Sequence, residues 1–217
     1  MDLRFKLPFS LLLAGPSGSG KTTFVHRLLL EGNEMLDPFP DKIVYIYEIW
    51  QNSFEELKRK IPQIIFVEGL PNDLDDVIPP NSTNTLLLLD DMMTHLKSTE
   101  NVIVRLFTIS RHKKISVCLL VQDLFYSKQL RTVSINANFI ALFRSTRDRL
   151  QVMNLAKQMY PGETKFLLEA FVNATAEPYG YLLLDLRPTT PEQFRVRTNI
   201  FPGEKQFSYV RKDYKSK

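Results

Sequence analysis

Gly15-Pro16-Ser17-Gly18-Ser19-Gly20-Lys21-Thr22 is the stretch on which the fold turns. It matches G-x-x-x-x-G-K-[ST] at every fixed position, and its surroundings match as well. The apolar run Ser10–Ala14 reads as a strand entering the loop, and Lys21–Leu30 reads as an amphipathic helix leaving it. Glycines let the backbone wrap phosphates in conformations that other residues avoid. Successive N–H groups and the helix N-terminus then face negative charge. The spacing sets Lys21 at the β- and γ-phosphates of ATP and the Thr22 hydroxyl on Mg²⁺, with Thr23 ending the binding stretch. A Gly/Ser turn before a helix would account for the glycines, but not for strand, loop, Lys-Thr and helix together.

Leu86-Leu87-Leu88-Leu89-Asp90-Asp91 is a second decisive run. An apolar strand that ends in two carboxylates suits a metal-bound nucleotide. Asp90 is expected to hold the magnesium through a water, and Asp91 to polarise the attacking water. Many ATPases place Glu at the second position, so Asp91 is one methylene shorter than usual. The plainer alternative is a pair of aspartates capping the next helix. The following apolar run, Ser116–Gln122, ends in Gln122-Asp123. Its strand is expected between the loop strand and the acidic strand. Gln122 would there sense the γ-phosphate by hydrogen-bonding the water or the phosphate, unless it is an ordinary polar strand end.

Outward from these motifs, short apolar runs alternate with amphipathic stretches, the βα pattern of a parallel sheet. Further strands are expected at Lys42–Tyr47, Gln63–Val67, Thr85–Asp90, Phe139–Phe143, Tyr181–Asp185 and Phe194–Asn199. Further helices are expected at Ser53–Lys60, Asn101–Arg111, Ser127–Ile135, Asp148–Met159 and Thr164–Thr175. Gly69–Asn84, with Pro71, Pro79 and Pro80, reads as an irregular loop. The last forty residues look like additions to a sheet edge. No repeat or linker divides the chain, so a single ATPase domain is expected over 1–217, with a lead-in to about residue 9 and a basic tail from about 203.

The 217 residues are 44% hydrophobic and 24% charged, ordinary for a soluble globular protein. The net charge of +4 permits nucleic-acid binding without requiring it. Cys118 is the one cysteine, which excludes an internal disulfide and suits a reducing compartment. It is expected to be a small buried hydrophobe, and no Cys/His cluster reads as a metal site. The N-terminal apolar run does not read as a signal peptide, and no stretch approaches the roughly 20 apolar residues that cross a bilayer. No membrane insertion is expected.

GPSGSGKTT, LLLLDD, SRHKKISVCLLVQDLF and RTVSINANFIALFRSTRD, taken together, resemble the genome-packaging ATPases of double-stranded DNA viruses. These form the poxvirus-like branch of the FtsK–HerA superfamily, with relatives in Polinton/Maverick-type elements. The resemblance runs from about Leu11 to Phe201 and includes Gly180–Asp185 followed by Pro188, Arg195, Arg197 and Asn199. It implies an α/β P-loop NTPase with a RecA-like, additional-strand core, whose mostly parallel central sheet is flanked by helices. It also implies a homo-oligomeric ring of about five or six subunits that threads double-stranded DNA into a preformed capsid at its portal vertex. ATP would lie between neighbours, each supplying an arginine to the next γ-phosphate. Arg111 is the first candidate; Arg131, Arg144 and Arg147 are alternatives. His112 reads as structural or as part of the subunit contact, and Asn136 as shaping a turn. Lys97, Lys113 and Lys114 are candidate DNA contacts, though a Lys-Lys corner is more often merely solvated. Phe125 and Tyr126 read as packing or interface residues rather than DNA-stacking ones. The site of action would be the viral assembly site, in cytoplasm or nucleus. No nuclease is expected.

Three other readings fit part of the pattern. A small P-loop nucleoside or nucleotide kinase shares the loop but needs an arginine-rich lid, and it does not need a tandem Asp followed one strand later by Gln. A nucleotide-bound assembly switch without motor activity would tolerate the shorter Asp91. A cellular relative that moves DNA usually carries membrane helices or added domains.

Overall fold

The computed structural model describes residues 2–71, 78, 84–90, 92, 96–109, 113–145 and 149–212. In the helix that opens at Leu96, it describes the side chains of 102–108 only. β1 (Phe5–Lys6) is a two-residue strand. β2 (Ser10–Ala14) enters the phosphate loop, α1 (Lys21–Leu30) leaves it, and the one-turn α2 (Gly32–Met35) follows. β3 (Leu36–Asp37) returns to pair in parallel with β1. β4 (Lys42–Tyr47), α3 (Ser53–Lys60) and β5 (Ile64–Glu68) come next, then β6 (Thr85–Leu89) and α4 (Leu96–Ile109). β7 (Ile115–Val121), α5 (Lys128–Asn136), β8 (Phe139–Phe143), α6 (Leu150–Met159) and α7 (Thr164–Ala174) complete the helical layers. β9 (Tyr181–Asp185), β10 (Val196–Thr198) and β11 (Phe207–Tyr209) end the described chain.

Among the described residues, nine strands form one sheet in the order β11-β10-β9-β8-β2-β7-β6-β4-β5. From β5 to β8 all neighbours are parallel. β9, β10 and β11 add antiparallel to the β8 edge. Alternation along each strand explains why both faces are covered. Leu11 and Leu13 of β2 pack with Phe24, Val25 and Leu28 of α1. Leu12 and Ala14 face the opposite core, with Leu130 and Val133 of α5 and Leu167 and Phe171 of α7. Leu86 to Leu89 of β6 divide in the same way and are all 0% exposed. Each such leucine contributes about 2 kcal/mol by leaving water. Cys118 is buried among them, and burial pushes its thiol pKa up.

The expected α/β fold with a mostly parallel sheet is present. β7 separates β2 from β6, which is the additional-strand arrangement. Some boundaries differ. α4 begins at Leu96 rather than Asn101, because the turn Leu96–Glu100 carries Lys97, Ser98, Thr99 and Glu100 and hides the apolar period. The strand expected at Phe194–Asn199 is only Val196–Thr198. Pro191 starts a 3-10 turn over Glu192–Phe194, and Arg195 continues it with helical backbone. The Arg195 guanidinium holds that turn by donating to the carbonyls of Asp185 (2.8 Å) and Thr190 (2.9 Å). Most of the expected Gly69–Asn84 loop lies outside the described residues.

Candidate active site

The phosphate loop starts at the C-terminal end of β2, where the Gly15 N–H donates to the Val121 carbonyl of β7 (3.2 Å). Gly15 is required by packing: a Cβ there would meet the Phe143 Cβ at 2.7 Å and the Ser19 Oγ at 2.9 Å. Gly18 and Gly20 have φ of 73° and 105°, a left-handed backbone that glycine adopts without strain. Gly20 is also the residue before α1, which has no side-chain cap and no acidic residue in its first turn. Its first N–H groups therefore open toward the loop, as an anion site requires.

Lys21 folds back over the loop and donates to the carbonyls of Gly15 (2.6 Å) and Pro16 (2.9 Å). Thr22 follows in the first turn of α1, and its Oγ1 donates to Oδ2 of Asp90 (3.3 Å). Asp90 stands just after β6 and is 5% exposed. Its N–H donates to the Ile46 carbonyl of β4 (2.9 Å), which fixes the carboxylate beside the loop. Gln122 follows β7, is exposed, and lines the same cavity as Lys21, Thr22 and Asp90. That cavity has a volume of about 400 Å³. Behind Gln122, the Leu124 N–H is held by Gln151 Oε1 (3.0 Å) and the Phe125 N–H by Asp123 Oδ1 (2.8 Å). Phe125 packs against the core, while Tyr126 is 51% exposed. Asn136 donates to the Thr132 carbonyl (2.8 Å) at the end of α5.

Tyr45 of β4 was not legible as a site residue. Its hydroxyl donates to Asp90 Oδ2 at 2.7 Å and stands 3.5 Å from Nε2 of His26. The ring is 0% exposed. Burial, and then the neighbouring Asp90 carboxylate, push its phenol pKa well above the usual range, so it stays a donor. Burial pulls the His26 imidazole down to about 4, against a smaller opposing effect of Glu56. His26 is therefore neutral at pH 7. The apolar spacing of β4 explains Tyr45 as a core residue; only the pairing of β4 with β6 brings it to Asp90.

Of the other candidates, Asp91, Arg111, His112 and Arg147 lie outside the described residues, as does the side chain of Lys97. Arg131 is exposed on α5. Arg144 follows β8, is exposed, and donates to the Ala176 carbonyl (3.1 Å). Neither lines the phosphate cavity. Lys113 and Lys114 are exposed ahead of β7, and Lys114 has a φ of 55°.

The donor set fits a triphosphate with a divalent cation: loop N–H groups, one ammonium, and a hydroxyl against a buried carboxylate. Ser19 adds a buried Oγ that has no hydrogen-bond partner among the described residues. Loop, acidic strand end and intervening strand together define a P-loop ATPase of the additional-strand type. The chain belongs to the Poxvirus A32 protein family, whose model matches residues 2–175. No curated protein matches it by sequence.

Solved structures share the fold at low identity. The genome packaging NTPase B204 from Sulfolobus turreted icosahedral virus 2, in complex with ATP-gammaS, is 15% identical with a TM-score of 0.53. That likeness covers 88% of this chain and 96% of B204. The KaiC-like protein PH0186 from Pyrococcus horikoshii OT3 is 14% identical, TM-score 0.52, covering 95% and 91%. The cytoplasmic domain of the Thermomonospora curvata type VII secretion ATPase EccC is 13% identical, TM-score 0.55. There the likeness covers 93% of this chain and 25% of that one. No helix among the described residues is long and apolar enough to cross a membrane.

Proposed function

We propose that this chain is an ATP-driven motor that moves double-stranded viral DNA into a preformed capsid. It works as a homo-oligomeric ring, one ATPase domain per subunit, with ATP at the subunit interfaces. The observation that carries the reading is the phosphate loop beside Asp90 and Gln122, in a chain of the Poxvirus A32 protein family. Lys21 binds the β- and γ-phosphates, and the loop from Gly15 to Thr23 wraps the rest. Thr22 and Asp90 hold Mg²⁺, and Tyr45 fixes the carboxylate that does so. When bound, the cation neutralises charge on the β- and γ-oxygens. Asp91 takes the proton of the attacking water, and Gln122 reads whether the γ-phosphate is attached. An arginine from the neighbouring subunit stabilises the transition state; Arg111 is the first choice, with Arg131, Arg144 and Arg147 behind it. DNA is gripped through its phosphates, independent of sequence, by lysines such as Lys113 and Lys114. The ring acts at the viral assembly site and docks at the capsid or portal vertex.

The test is the ATPase rate against protein concentration, with and without long double-stranded DNA, at low and moderate salt. The rate per subunit should rise steeply with both concentration and DNA, and Lys21→Ala should abolish it. A flat rate that ignores DNA refutes the motor. Undiminished turnover in Lys21→Ala refutes the site.

A further inference from the structure

A second cavity of about 480 Å³ opens beside the phosphate cavity. The two share Gly20, Thr23 and Tyr179 on their common rim. The second lies between the α7–β9 turn and the antiparallel strands β10 and β11. Its size falls within the range of small-molecule sites. The shared rim makes this groove the immediate neighbour of any group that phosphates in the loop carry.

Tyr179 is placed there at a cost. Its φ is 62°, a left-handed backbone that is an outlier for a bulky side chain. Its ring is nevertheless 68% exposed, so core packing does not compensate for the strain. The turn around it is fixed. A Cβ on Gly180 would meet the Ala174 carbonyl oxygen at 2.5 Å, and the Gly180 N–H donates to the Glu177 carbonyl (3.1 Å). The ring lies against the phosphate loop: a Cβ on Gly20 would meet the Tyr179 Cβ at 3.2 Å and Cδ1 at 3.3 Å. Strain held at an exposed aromatic beside a ligand loop points to a contact surface. Across the groove, β11 brings Phe207, itself 45% exposed. The carboxamides of Asn173 and Asn199 reach the same groove, Asn173 accepting from the Tyr209 hydroxyl (2.7 Å).

We infer that this groove receives the base and ribose of the nucleotide, with Tyr179 stacked on a purine base. The inference rests on the reading of the phosphate loop as an ATP site. Stacking explains the aromatic residue and its exposure; a turn alone would favour glycine or asparagine at position 179.

The experiment compares the wild-type chain with Tyr179→Gly, Tyr179→Trp and Lys21→Ala. Binding of Mg-ATP and of inorganic tripolyphosphate is measured by competition against a fluorescent ATP analogue, beside urea unfolding. Glycine suits the backbone, so Tyr179→Gly should fold at least as stably as the wild type. It should bind ATP about tenfold more weakly, while tripolyphosphate affinity stays unchanged. Tyr179→Trp should keep ATP affinity within about twofold. Unchanged ATP affinity in Tyr179→Gly, with tripolyphosphate still competing, overturns the base site and leaves the phosphate site standing. Lys21→Ala that binds both ligands as the wild type does overturns the phosphate site, and the base site with it.

Discussion

At the scale of single residues, Asp90 is the buried carboxylate of the proposed site, and the Tyr45 hydroxyl holds it by a hydrogen bond. Tyr45→Phe removes a 2.7 Å donor from a buried acid and leaves the ring packing in place. A hydrogen bond to a charged group contributes about 1.5–3 kcal/mol. The variant should need several-fold more Mg²⁺ for half-maximal ATPase activity while the ATP requirement at saturating Mg²⁺ barely moves. An unchanged Mg²⁺ titration would remove Tyr45 from the site. His26, beside the same hydroxyl, sets a pH dependence. Its folded pKa is about 4 against 6.5 for the free side chain. Between those values the unfolded chain binds a proton that the folded chain does not, so stability falls as pH falls through that window. The His26→Gln variant should lose less stability than the wild type between pH 7 and pH 4.5, read as urea midpoints. Equal losses would place the acid sensitivity elsewhere. Neither residue announced itself in the sequence. Lys21, Thr22 and Asp90, which line one cavity, did, because each stands in a run whose residue types and order are legible in the sequence. Tyr45 and His26 act through strand neighbours, and strand order is not written in local spacing.

At the scale of elements, helix positions followed from periodicity where a single face is apolar, and strand positions from short apolar runs covered on both faces. The bounds Lys21–Leu30 and Ser53–Lys60 came out as expected for that reason. The pairing of Phe5–Lys6 with Leu36–Asp37 did not, since two-residue strands carry no period. The C-terminal edge was legible as an addition to the sheet, but its fastening was not. Asp185, at the end of β9, has a fully buried side chain and accepts from Arg187 Nη2 at 2.7 Å. Arg197 of β10 approaches the same carboxylate at 3.5 Å and is itself 5% exposed. Arg187 also lies over the Phe139 ring of β8, 4.6 Å from its centroid. One acid thus ties three strands. Burial lowers the Arg197 pKa and Asp185 opposes that, so removing the acid leaves a buried cation without its counter-charge. Asp185→Ala should cost about 3–5 kcal/mol in urea unfolding, far more than the exposed Glu169 changed to Ala. A loss below about 1 kcal/mol would mean that the edge is held by its apolar packing instead.

At the scale of the whole molecule, the proposed ring makes an active site from parts of two chains. The loop, Asp90 and Gln122 come from one subunit and the arginine from the next. This division has a consequence that no single-chain mutation reproduces. Lys21→Ala and Arg111→Ala should each be inactive alone, the first for want of a phosphate site and the second for want of a donor to its neighbour. Mixed in equal amounts and allowed to exchange, an interface works only where an intact loop faces an intact arginine. Random assembly yields that pairing at about a quarter of interfaces, so the mixture should recover up to about a quarter of wild-type ATPase activity. An arginine acting within its own chain recovers nothing in such a mixture. The same mixture made with Arg131→Ala, Arg144→Ala or Arg147→Ala sorts the remaining candidates. The partner that is dead alone and rescued by Lys21→Ala supplies the arginine. If all four stay dead when mixed, the site is complete in one subunit, and the steep dependence on protein concentration should vanish with it.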